Sequence, residues 1–487
     1  MNDLLITHAT AITMDPQRRV LEDAAVLIRD GRIAQIGPSA ELTGAFASTE
    51  VLDATGKVLL PGLIDSHGHS GHGFTRALGA GQPGLWEEAC EQVYAHASTP
   101  DFWRVDGMLL AMERLKFGVT TGVSFFGGGG GILTGDMAMR TDDPVYADAH
   151  LKSVAGLGVR EFLVVGPRQQ PFDTTYSYPE GSGSSPRPVS FAEHMRVCEA
   201  IADLWHRQAG GRIHIALMSQ MMHPSLLEQD TSFRRQITGQ SRWVRERARE
   251  RGLLFMQDGH TRGTIEYAYE EADLLGPDSL FSHSTNLAEN EIELCAQTGT
   301  VIVHNPSAIA SILGRCPAPE LIEAGARVVL GSDGPGPDRS CDMFRHMFQA
   351  MRYHRRHFQD PTVLPEGKVL EMCTINAADA LGLGDEIGSI EVGKRADLIL
   401  VNTRVPHLSP LIMPVHQIVH FASGADVDTV LVDGAVVMRD GRVQTVSEAD
   451  LIEEVVEMSR DIMKRTGFAD RIETVPGFWG HARLEGP

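Results

Sequence analysis

The sequence predicts an α/β protein: a (β/α)8 TIM-like barrel with a small β-sandwich domain formed by both chain ends. Short apolar runs alternate with longer helical patterns through the middle of the chain, which is typical of repeated β-α units. Strand-like segments with Asp-Gly turns occupy both ends. We expect the sandwich to use residues 1–60 and 381–446, the barrel 61–380, and a C-terminal helix and tail 447–487.

Within the first part, residues 2–60 form short alternating runs with a hairpin signal at Asp30-Gly31. The same texture returns at 388–402 and 427–446, with further Asp-Gly turns. We therefore expect the two chain ends to pair into one sheet domain.

Eight apolar runs in the middle of the chain are the expected barrel strands. A helical pattern at 241–252 precedes the fifth run, and Gly299 is expected to end the helix before the seventh. Eight parallel strands with helical crossovers predict a closed barrel. The runs are GLIDSH (62–67), GVTTGVSFF (118–126), REFLVV (160–165), IHIALM (213–218), LLFMQ (253–257), SLFSHS (279–284), VIVHN (301–305) and RVVLGSD (327–333).

Two connections have unusual compositions. Residues 126–135 are rich in glycine, and residues 169–190 are rich in glycine, serine and proline. Each is either a surface connection or a lid over the substrate.

Composition and charge limit the classes of partner. The 487 residues are 42% hydrophobic and 22% charged, which is ordinary for a globular protein, and the formal net charge is −21. An acidic surface repels nucleic acid and anionic membranes, so we expect a small-molecule partner. Six scattered cysteines predict neither disulfides nor a thiolate metal site. With no signal peptide or membrane-spanning run, we expect a cytoplasmic protein.

The segment PGLIDSHGHSGHG at 61–73 carries the first chemical signal. His67 and His69 are two residues apart, so on a strand both side chains point to the same face, near the strand's carboxyl end. Two imidazoles there suit one shared metal ion. His72 either lines the same pocket or lies on an exposed loop.

Polar residues also follow the later strands. Gln257, His283, His304 and Asp333 stand at the ends of the fifth to eighth runs. Barrel active sites lie at the carboxyl ends of the strands, so we expect these side chains to converge with the first two histidines. The alternative is four unrelated buried polar residues satisfied by hydrogen bonds.

These motifs resemble the amidohydrolase superfamily, in the branch with triazine hydrolases and cytosine, guanine and adenosine-type deaminases. The resemblance covers nearly the whole chain. It implies that His67, His69 and Asp333 bind a metal ion, and that His283 lies beside the metal-bound water or the substrate oxygen. It also places His304 at the family's seventh-strand, substrate-binding position. The motifs are RDGRIAQIG, PGLIDSHGH, FSHSTNLAENEIELCAQTGTVIVHNP, VVLGSDG and GSIEVGKRADLILV.

The fifth strand departs from the family pattern. Relatives usually carry His-x-x-Glu there, and this chain has Gln257 and His260 at those two positions. Three alternatives stay open: Gln257 is the fifth-strand ligand through its amide oxygen, His260 is the ligand, or neither is. His260 is also a candidate for acid-base work.

The missing glutamate bears on the reaction type. In the deaminases it protonates a ring nitrogen, so its loss favours hydrolysis of an amide, urea or carbamate. The altered motif also resembles that of phenylurea and thiocarbamate hydrolases. A deaminase or dechlorinase of a pyrimidine, purine or triazine is the alternative. A second alternative is a catalytically inactive barrel that acts as a binding protein.

The metal is expected to be a single divalent ion. Binuclear relatives usually carry a carbamylated lysine on the fourth strand, and residues 213–218 contain none. Zn²⁺ suits the ligand set, and Fe²⁺, Co²⁺ and Mn²⁺ tolerate it. Arg168, just past the third strand, either contacts a substrate carbonyl or forms a surface salt bridge. The resemblance also implies a homo-oligomer.

The predicted mechanism is hydrolysis by metal-activated water. Asp333 accepts the proton of the water, and His283 stabilises the substrate oxygen. His260 or Asp333 then returns the proton to the leaving nitrogen.

Overall fold

In the residues that the computed structural model describes, the strands form two nine-stranded sheets and one two-stranded pair. The described residues are 3–46, 49–80, 82–128, 140–168, 170, 172–180, 183–227, 231–472 and 478–480. The strands are β1 (Leu4–Ile12), β2 (Val20–Arg29), β3 (Arg32–Pro38), β4 (Glu50–Asp53), β5 (Lys57–Pro61), β6 (Leu63–Asp65), β7 (His69–Ser70), β8 (Val119–Phe126), β9 (Arg160–Val165), β10 (Thr174–Glu180), β11 (Gly183–Val189), β12 (Ile213–Met218), β13 (Phe255–Gln257), β14 (Ser279–Ser282), β15 (Val301–His304), β16 (Arg327–Leu330), β17 (Leu398–Asn402), β18 (Val427–Val432), β19 (Ala435–Arg439) and β20 (Arg442–Val443).

Helices connect the barrel strands and extend the C-terminal part. A π-helix spans Gln92–Ala97, and 3-10 turns span Gly424–Asp426 and Phe468–Asp470. The α-helices are α1 (Ser39–Ala45), α2 (Pro83–Glu91), α3 (Pro100–Lys116), α4 (Pro144–Leu157), α5 (Phe191–Trp205), α6 (Gln208–Gly211), α7 (Pro224–Leu227), α8 (Thr231–Arg251), α9 (Thr264–Glu270), α10 (Glu289–Thr298), α11 (Ile309–Leu313), α12 (Ala318–Glu323), α13 (Met343–Phe358), α14 (Glu366–Met372), α15 (Ile375–Ala380), α16 (Pro414–Phe421) and α17 (Glu448–Thr466).

All eight predicted barrel runs form strands of one parallel sheet, in the order β16-β15-β14-β13-β12-β9-β8-β6, with β7 beside β8. The two ends of this sheet meet. Ser66 N–H donates to the Leu330 carbonyl at 3.1 Å, and Asp333 N–H donates to the His67 carbonyl at 2.8 Å. The predicted barrel is confirmed.

Alternate residues of each barrel strand pack into two different apolar layers. Val301 and Val303 of β15 pack inside the barrel with Met256 of β13. Ile302 and Phe255, one residue out of phase, pack in the layer shared with the helices. This two-residue period determines which polar side chains at the strand ends face the lumen.

The second sheet joins the two chain ends. Its order is β20-β19-β18-β17-β5-β1-β2-β3, with β4 beside β1, so β17 from the C-terminal part pairs with β5. The turn at Asp30-Gly31 has φ of 50° and 78°. Positive φ at both positions is what a type I′ hairpin turn requires. The expected pairing of the chain ends is confirmed, and the domain boundaries at 60, 380 and 446 stay predictions.

The chain departs from the expected organisation in two places. Within 169–190, β10 and β11 pair as antiparallel strands, and Tyr176 and Val189 are buried against Ala95 of the π-helix. The segment Thr-Thr-Tyr-Ser-Tyr at 174–178 has strong strand propensity, which outweighs the surrounding glycine and proline. Helix α1 interrupts the expected all-β start. Residues 129–135 of the glycine-rich connection lie outside the described residues.

In the described ranges, every helix is too short or too polar to cross a bilayer. All six cysteines are buried and free.

Arg160 joins the barrel to the end sheet. Its Nη2 lies 3.1 Å from Asp397 Oδ2 and 2.9 Å from Asp433 Oδ1, and the Arg160 and Asp397 side chains are 2% and 1% exposed. Arg160→Met leaves Asp397 buried without this cation, so we expect the free energy of unfolding in urea to fall by about 3–5 kcal/mol.

The matched control is Arg439→Met. Arg439 pairs with Glu50 at the surface, where the side chains are 40% and 54% exposed. Exposed pairs contribute about 0–1 kcal/mol, so the control is expected to lose no more than that. Equal losses in the two variants would contradict the assigned role of Arg160.

Candidate metal centre

Five side chains meet at the carboxyl ends of the barrel strands. Among the described residues, two groups place their ligand atoms within 4.8 Å of one another: His67 with Asp258 and His283, and His67 with His69 and Asp333. Because His67 belongs to both groups, they form one centre.

His67 and His69 face the centre from the same side, as their spacing predicted. Their Nε2 atoms lie 3.4 Å and 3.1 Å from Asp333 Oδ1. His69 Nδ1 lies 2.9 Å from the Gly127 carbonyl oxygen, which can only accept, so this nitrogen carries the proton. The arrangement leaves His69 Nε2 unprotonated for a ligand role when the ring is neutral.

Asp258 supplies the fifth-strand side chain of the centre. Its Oδ1 lies 3.3 Å from His67 Nε2 and 3.0 Å from His283 Nε2, and its Oδ2 lies 3.6 Å from His69 Nε2. Ser282 Oγ also donates to this carboxylate. The sequence reasoning missed Asp258, although it stands two residues after the lumen-facing Met256 and shares its phase.

Gln257 and His260 are engaged with other groups. Gln257 has the phase of Phe255, and its Nε2 donates to Ser219 Oγ and to the Gln220 carbonyl, each at 3.0 Å. His260 Nε2 lies 3.2 Å from Gln257 Oε1. Both residues therefore contribute to the support of the fifth-strand end.

His260 is enclosed at its other nitrogen as well. Its Nδ1 lies 2.9 Å from Thr264 Oγ1, and its ring stacks on Phe281 at 4.1 Å between centroids. Burial lowers the pKa of His260 to about 3. A neutral, hydrogen-bonded imidazole is poorly suited to donate a proton to substrate.

His283 reaches the centre through a turn of the backbone. His283 and Ser284 have φ of 61° and 46°, so the chain leaves the strand direction directly after β14. Burial lowers the pKa of His283, but the Asp258 carboxylate outweighs it and the net shift is upward. Its Nδ1 atom is buried, with no hydrogen-bond partner in the described part of the chain.

The charges of the centre favour a cation. Burial alone would raise the pKa of Asp333, but Arg339 and the two nearby histidines hold it well below the usual value. The pKa of Asp258 is lowered as well, against burial, by His67 and His283. Two ionised carboxylates therefore face the same point.

The donor set fits one divalent ion. Burial lowers the pKa of His67, and its buried Nε2 has no hydrogen-bond partner among the described residues. Ligands at 2.0–2.2 Å from a tetrahedral zinc ion lie about 3.4 Å from one another. The nitrogen-to-oxygen distances of 3.0 to 3.6 Å at this centre agree with that separation.

Asp65 fastens two of the strand ends that carry these residues. Its carboxylate accepts from Ser332 N at 2.8 Å and from Ser332 Oγ at 2.7 Å. Arg114 Nη2 lies 3.5 Å away, and both charged side chains are fully buried. Asp65 thus ties the backbone before His67 to the backbone before Asp333.

His304 departs from its predicted position. Its Nε2 lies 3.1 Å from His354 Nε2 of α13, on the face of β15 that Ile302 shares, so it points away from the lumen. The residue in phase with Val303 is Asn305. Gly331 lies against both Asn305 and His67: a Cβ atom added to this glycine would be 2.4 Å from Asn305 Oδ1 and 2.7 Å from His67 Cβ. Asn305 is therefore close to the centre.

Arg168 and His72 are both buried. Arg168 is 2% exposed, pairs with Glu91, and its guanidinium lies 5.5 Å from the Tyr176 ring centroid. Arg168 thus forms a salt bridge, as one of the two alternatives predicted, but its own side chain is buried and only that of Glu91 is exposed, at 36%. His72 is 1% exposed, stacks on His69 at 4.6 Å, and its Nδ1 lies 2.7 Å from the hydroxyl of Tyr94. His72 therefore lines the centre and does not lie on an exposed loop.

Comparisons with known proteins agree with this architecture. A model described as the Amidohydrolase family matches residues 247–437, and one described as an imidazolonepropionase-like composite domain of bacteria matches residues 24–47. A 5-methylthioadenosine/S-adenosylhomocysteine deaminase of Syntrophobacter fumaroxidans is 30% identical over 466 residues, which cover 94% of this chain and 98% of the relative.

Two solved structures share the fold. A zinc-bound adenosine deaminase from Xanthomonas campestris superposes with a TM-score of 0.75 at 23% identity, over 96% of this chain and 99% of the other. Atrazine chlorohydrolase from Arthrobacter aurescens, complexed with zinc, superposes with a TM-score of 0.74 at 20% identity, over 94% of this chain and 100% of the other. The resemblance in the motifs is confirmed, and the chain belongs to the amidohydrolase family.

Proposed function

We propose that this protein is a mononuclear metal-dependent hydrolase that cleaves a carbon–nitrogen bond of a small molecule with water. The observation that carries the proposal is the convergence of three histidines and two aspartates at the carboxyl ends of the barrel strands. The relative named as a deaminase supports hydrolysis at carbon–nitrogen bonds.

In this proposal His67, His69, Asp258 and Asp333 hold one divalent ion, with His283 beside it. When bound, the ion would acidify a water molecule and polarise the carbonyl group of the substrate. Zinc is the proposed metal, because imidazole and carboxylate ligands suit it and the two fold neighbours contain it. Iron, cobalt and manganese tolerate the same ligands.

The chain's own side chains would then move the proton and orient the substrate. Asp333, ionised and in contact with both paired histidines, accepts the proton of the attacking water. His283 donates a hydrogen bond to the substrate oxygen as negative charge develops there. Asp333 returns the proton to the leaving nitrogen, since both His260 nitrogens are engaged.

We propose an amide, urea or carbamate as the substrate class. Ring deamination needs a proton donor for the ring nitrogen, which the resemblance implies at the position of His260. His260 is instead bound to Gln257 and Thr264. Acyclic acyl groups need protonation only at the leaving nitrogen, which Asp333 can supply.

Arg168 stays a candidate for substrate contact. It follows β9 at the active end of the barrel, and its Nε is buried with no hydrogen-bond partner in the described ranges. Its pairing with Glu91 fixes the guanidinium without using this nitrogen.

The second candidate function is deamination of a purine nucleoside. The full-length similarity to a 5-methylthioadenosine/S-adenosylhomocysteine deaminase favours it. The two functions release different products. Hydrolysis of an N-substituted amide, urea or carbamate releases a substituted amine, whereas a deaminase releases ammonia.

A substrate panel separates the two. Zinc-loaded protein is incubated with anilides, phenylureas, carbamates, adenosine derivatives and aminotriazines, and products are identified by mass spectrometry in ¹⁸O-labelled water. The proposal predicts amine release from an acyclic substrate and incorporation of ¹⁸O into its acid fragment. Ammonia release from adenosine derivatives alone would favour the second candidate. Metal-loaded protein that binds panel members without converting them would support the binding-protein alternative.

A further inference from the structure

We propose that Arg339 is a positioning residue for Asp333: its guanidinium engages the backbone carbonyl and one carboxylate oxygen of Asp333, which leaves the other carboxylate oxygen for the metal ion. The inference rests on the proposed function and deepens it, since it assigns a role to a residue outside the predicted ligand set.

The two oxygens of Asp333 face different partners. Oδ2 lies 3.3 Å from Arg339 Nε, whereas Oδ1 lies 3.1 Å from His69 Nε2 and 3.4 Å from His67 Nε2. Arg339 Nε–H also donates to the Asp333 carbonyl oxygen at 2.6 Å. One nitrogen therefore holds both the backbone and the side chain of Asp333.

The backbone of Asp333 is fastened on both sides. Its φ is 53°, in the left-handed region that few residues with a Cβ adopt. Asp333 N–H donates to the His67 carbonyl on one side of the residue. The hydrogen bond from Arg339 to the Asp333 carbonyl holds the other side.

Arg339 is itself fixed. Its side chain is 5% exposed, and its Nη1 lies 3.3 Å from Asp338 Oδ1. The loop that carries it is fastened at two points: His69 N donates to the Gly334 carbonyl at 2.9 Å, and Ala77 N donates to the Pro337 carbonyl at 2.7 Å. The guanidinium is thus held against the centre.

Arg339 is also distinctive in its charge. Among the described residues, Arg339 is the one Lys or Arg side chain that forms an ion pair with a carboxylate of the centre. The other ion-pair partners of Asp258 and Asp333 are histidines. A planar guanidinium has a fixed donor geometry that lysine lacks, so lysine at this position would keep the charge but not the alignment.

The test compares Arg339→Met and Arg339→Lys with wild type and with Arg345→Met. Arg345 is an exposed arginine six residues further on, and its Nη1 lies 3.2 Å from Ser340 Oγ. For each protein, zinc affinity is measured by chelator competition and the unfolding temperature is measured without metal. Values of kcat and KM are measured with zinc on a substrate found in the panel.

We expect Arg339→Met to weaken zinc binding by about 10- to 100-fold, the usual effect of removing a partner that orients a metal ligand. We expect kcat to fall with little change in KM, and Arg339→Lys to lie between Met and wild type. The metal-free unfolding temperature of Arg339→Met should match that of wild type. Arg345→Met should match wild type in zinc affinity, unfolding temperature, kcat and KM.

Two results would overturn the assignment. Unchanged zinc affinity in Arg339→Met would show that Asp333 needs no such positioning. A lowered metal-free unfolding temperature, with equal losses in the Met and Lys variants, would show that Arg339 only stabilises the loop. A wild-type protein that binds no metal would refute the proposed function and this inference together, whereas metal binding without turnover would refute the function and leave the affinity test decisive.

Discussion

Replacing Asp258 by alanine is expected to remove the metal ion from the purified protein and abolish its activity. The carboxylate lies 3.0 to 3.6 Å from the nitrogens of three histidines, so its loss removes both a ligand atom and a negative charge. Loss of an outer hydrogen-bond partner of a ligand costs about 10- to 100-fold in metal affinity, and loss of a ligand itself should cost more. Chelator competition and elemental analysis measure this effect.

The matched control is the preceding residue. Gln257→Ala removes a side chain that hydrogen-bonds to Ser219 and Gln220, and it should keep about one zinc ion per chain. His260→Ala should do the same. If Gln257→Ala or His260→Ala loses the metal while Asp258→Ala keeps it, the sequence-based choice of ligand is right and the assignment of Asp258 is wrong.

Replacing Asp333 by alanine or asparagine is expected to abolish turnover without unfolding the protein. Asp333 is assigned both a ligand role and the proton transfer, and loss of proton transfer alone lowers kcat by about 10²- to 10⁴-fold. Asparagine keeps the shape of the side chain but does not accept the proton. Steady-state kinetics measures kcat, and circular dichroism checks the fold.

The control for this variant is Asp461→Ala. Asp461 lies on α17 and its side chain is 62% exposed. Its replacement should leave kcat unchanged. Wild-type turnover in either Asp333 variant would contradict the proposed mechanism.

The barrel and the sheet of the chain ends were predictable from the sequence because their signals are local. Each strand is a short apolar run, and each Asp-Gly pair sets its own turn, as at Asp30-Gly31. The pair of strands β10 and β11 was missed because glycine, serine and proline obscured the strand-forming residues around Tyr176. Its pairing depends on burial against the distant π-helix, which no local pattern reports.

The candidate site shows how far strand periodicity reaches. His67 and His69 were predicted correctly to share a face, because two-residue spacing is a property of the strand itself. For the fifth and seventh strands, the ends of the predicted runs and the family resemblance both pointed to Gln257 and His304. The lumen-facing phase of Met256 and Val303 instead selects Asp258 and Asn305.

Other features depend on the assembled barrel. His283 reaches the centre only because the backbone turns after β14. Arg339 lies in a loop with no periodicity, and its contact with Asp333 is fixed by the fastening of that loop. Such positions follow from tertiary structure and carry no sequence signal of their own.

The central claim is that one metal ion lies among His67, His69, Asp258, His283 and Asp333. An anomalous difference map from a crystal of the zinc-loaded protein, collected at the zinc edge, tests this claim most directly. The account predicts one strong peak within bonding distance of His67, His69, Asp258 and Asp333. A peak bonded to Gln257 or His260 in place of Asp258, or no peak at this end of the barrel, would contradict it.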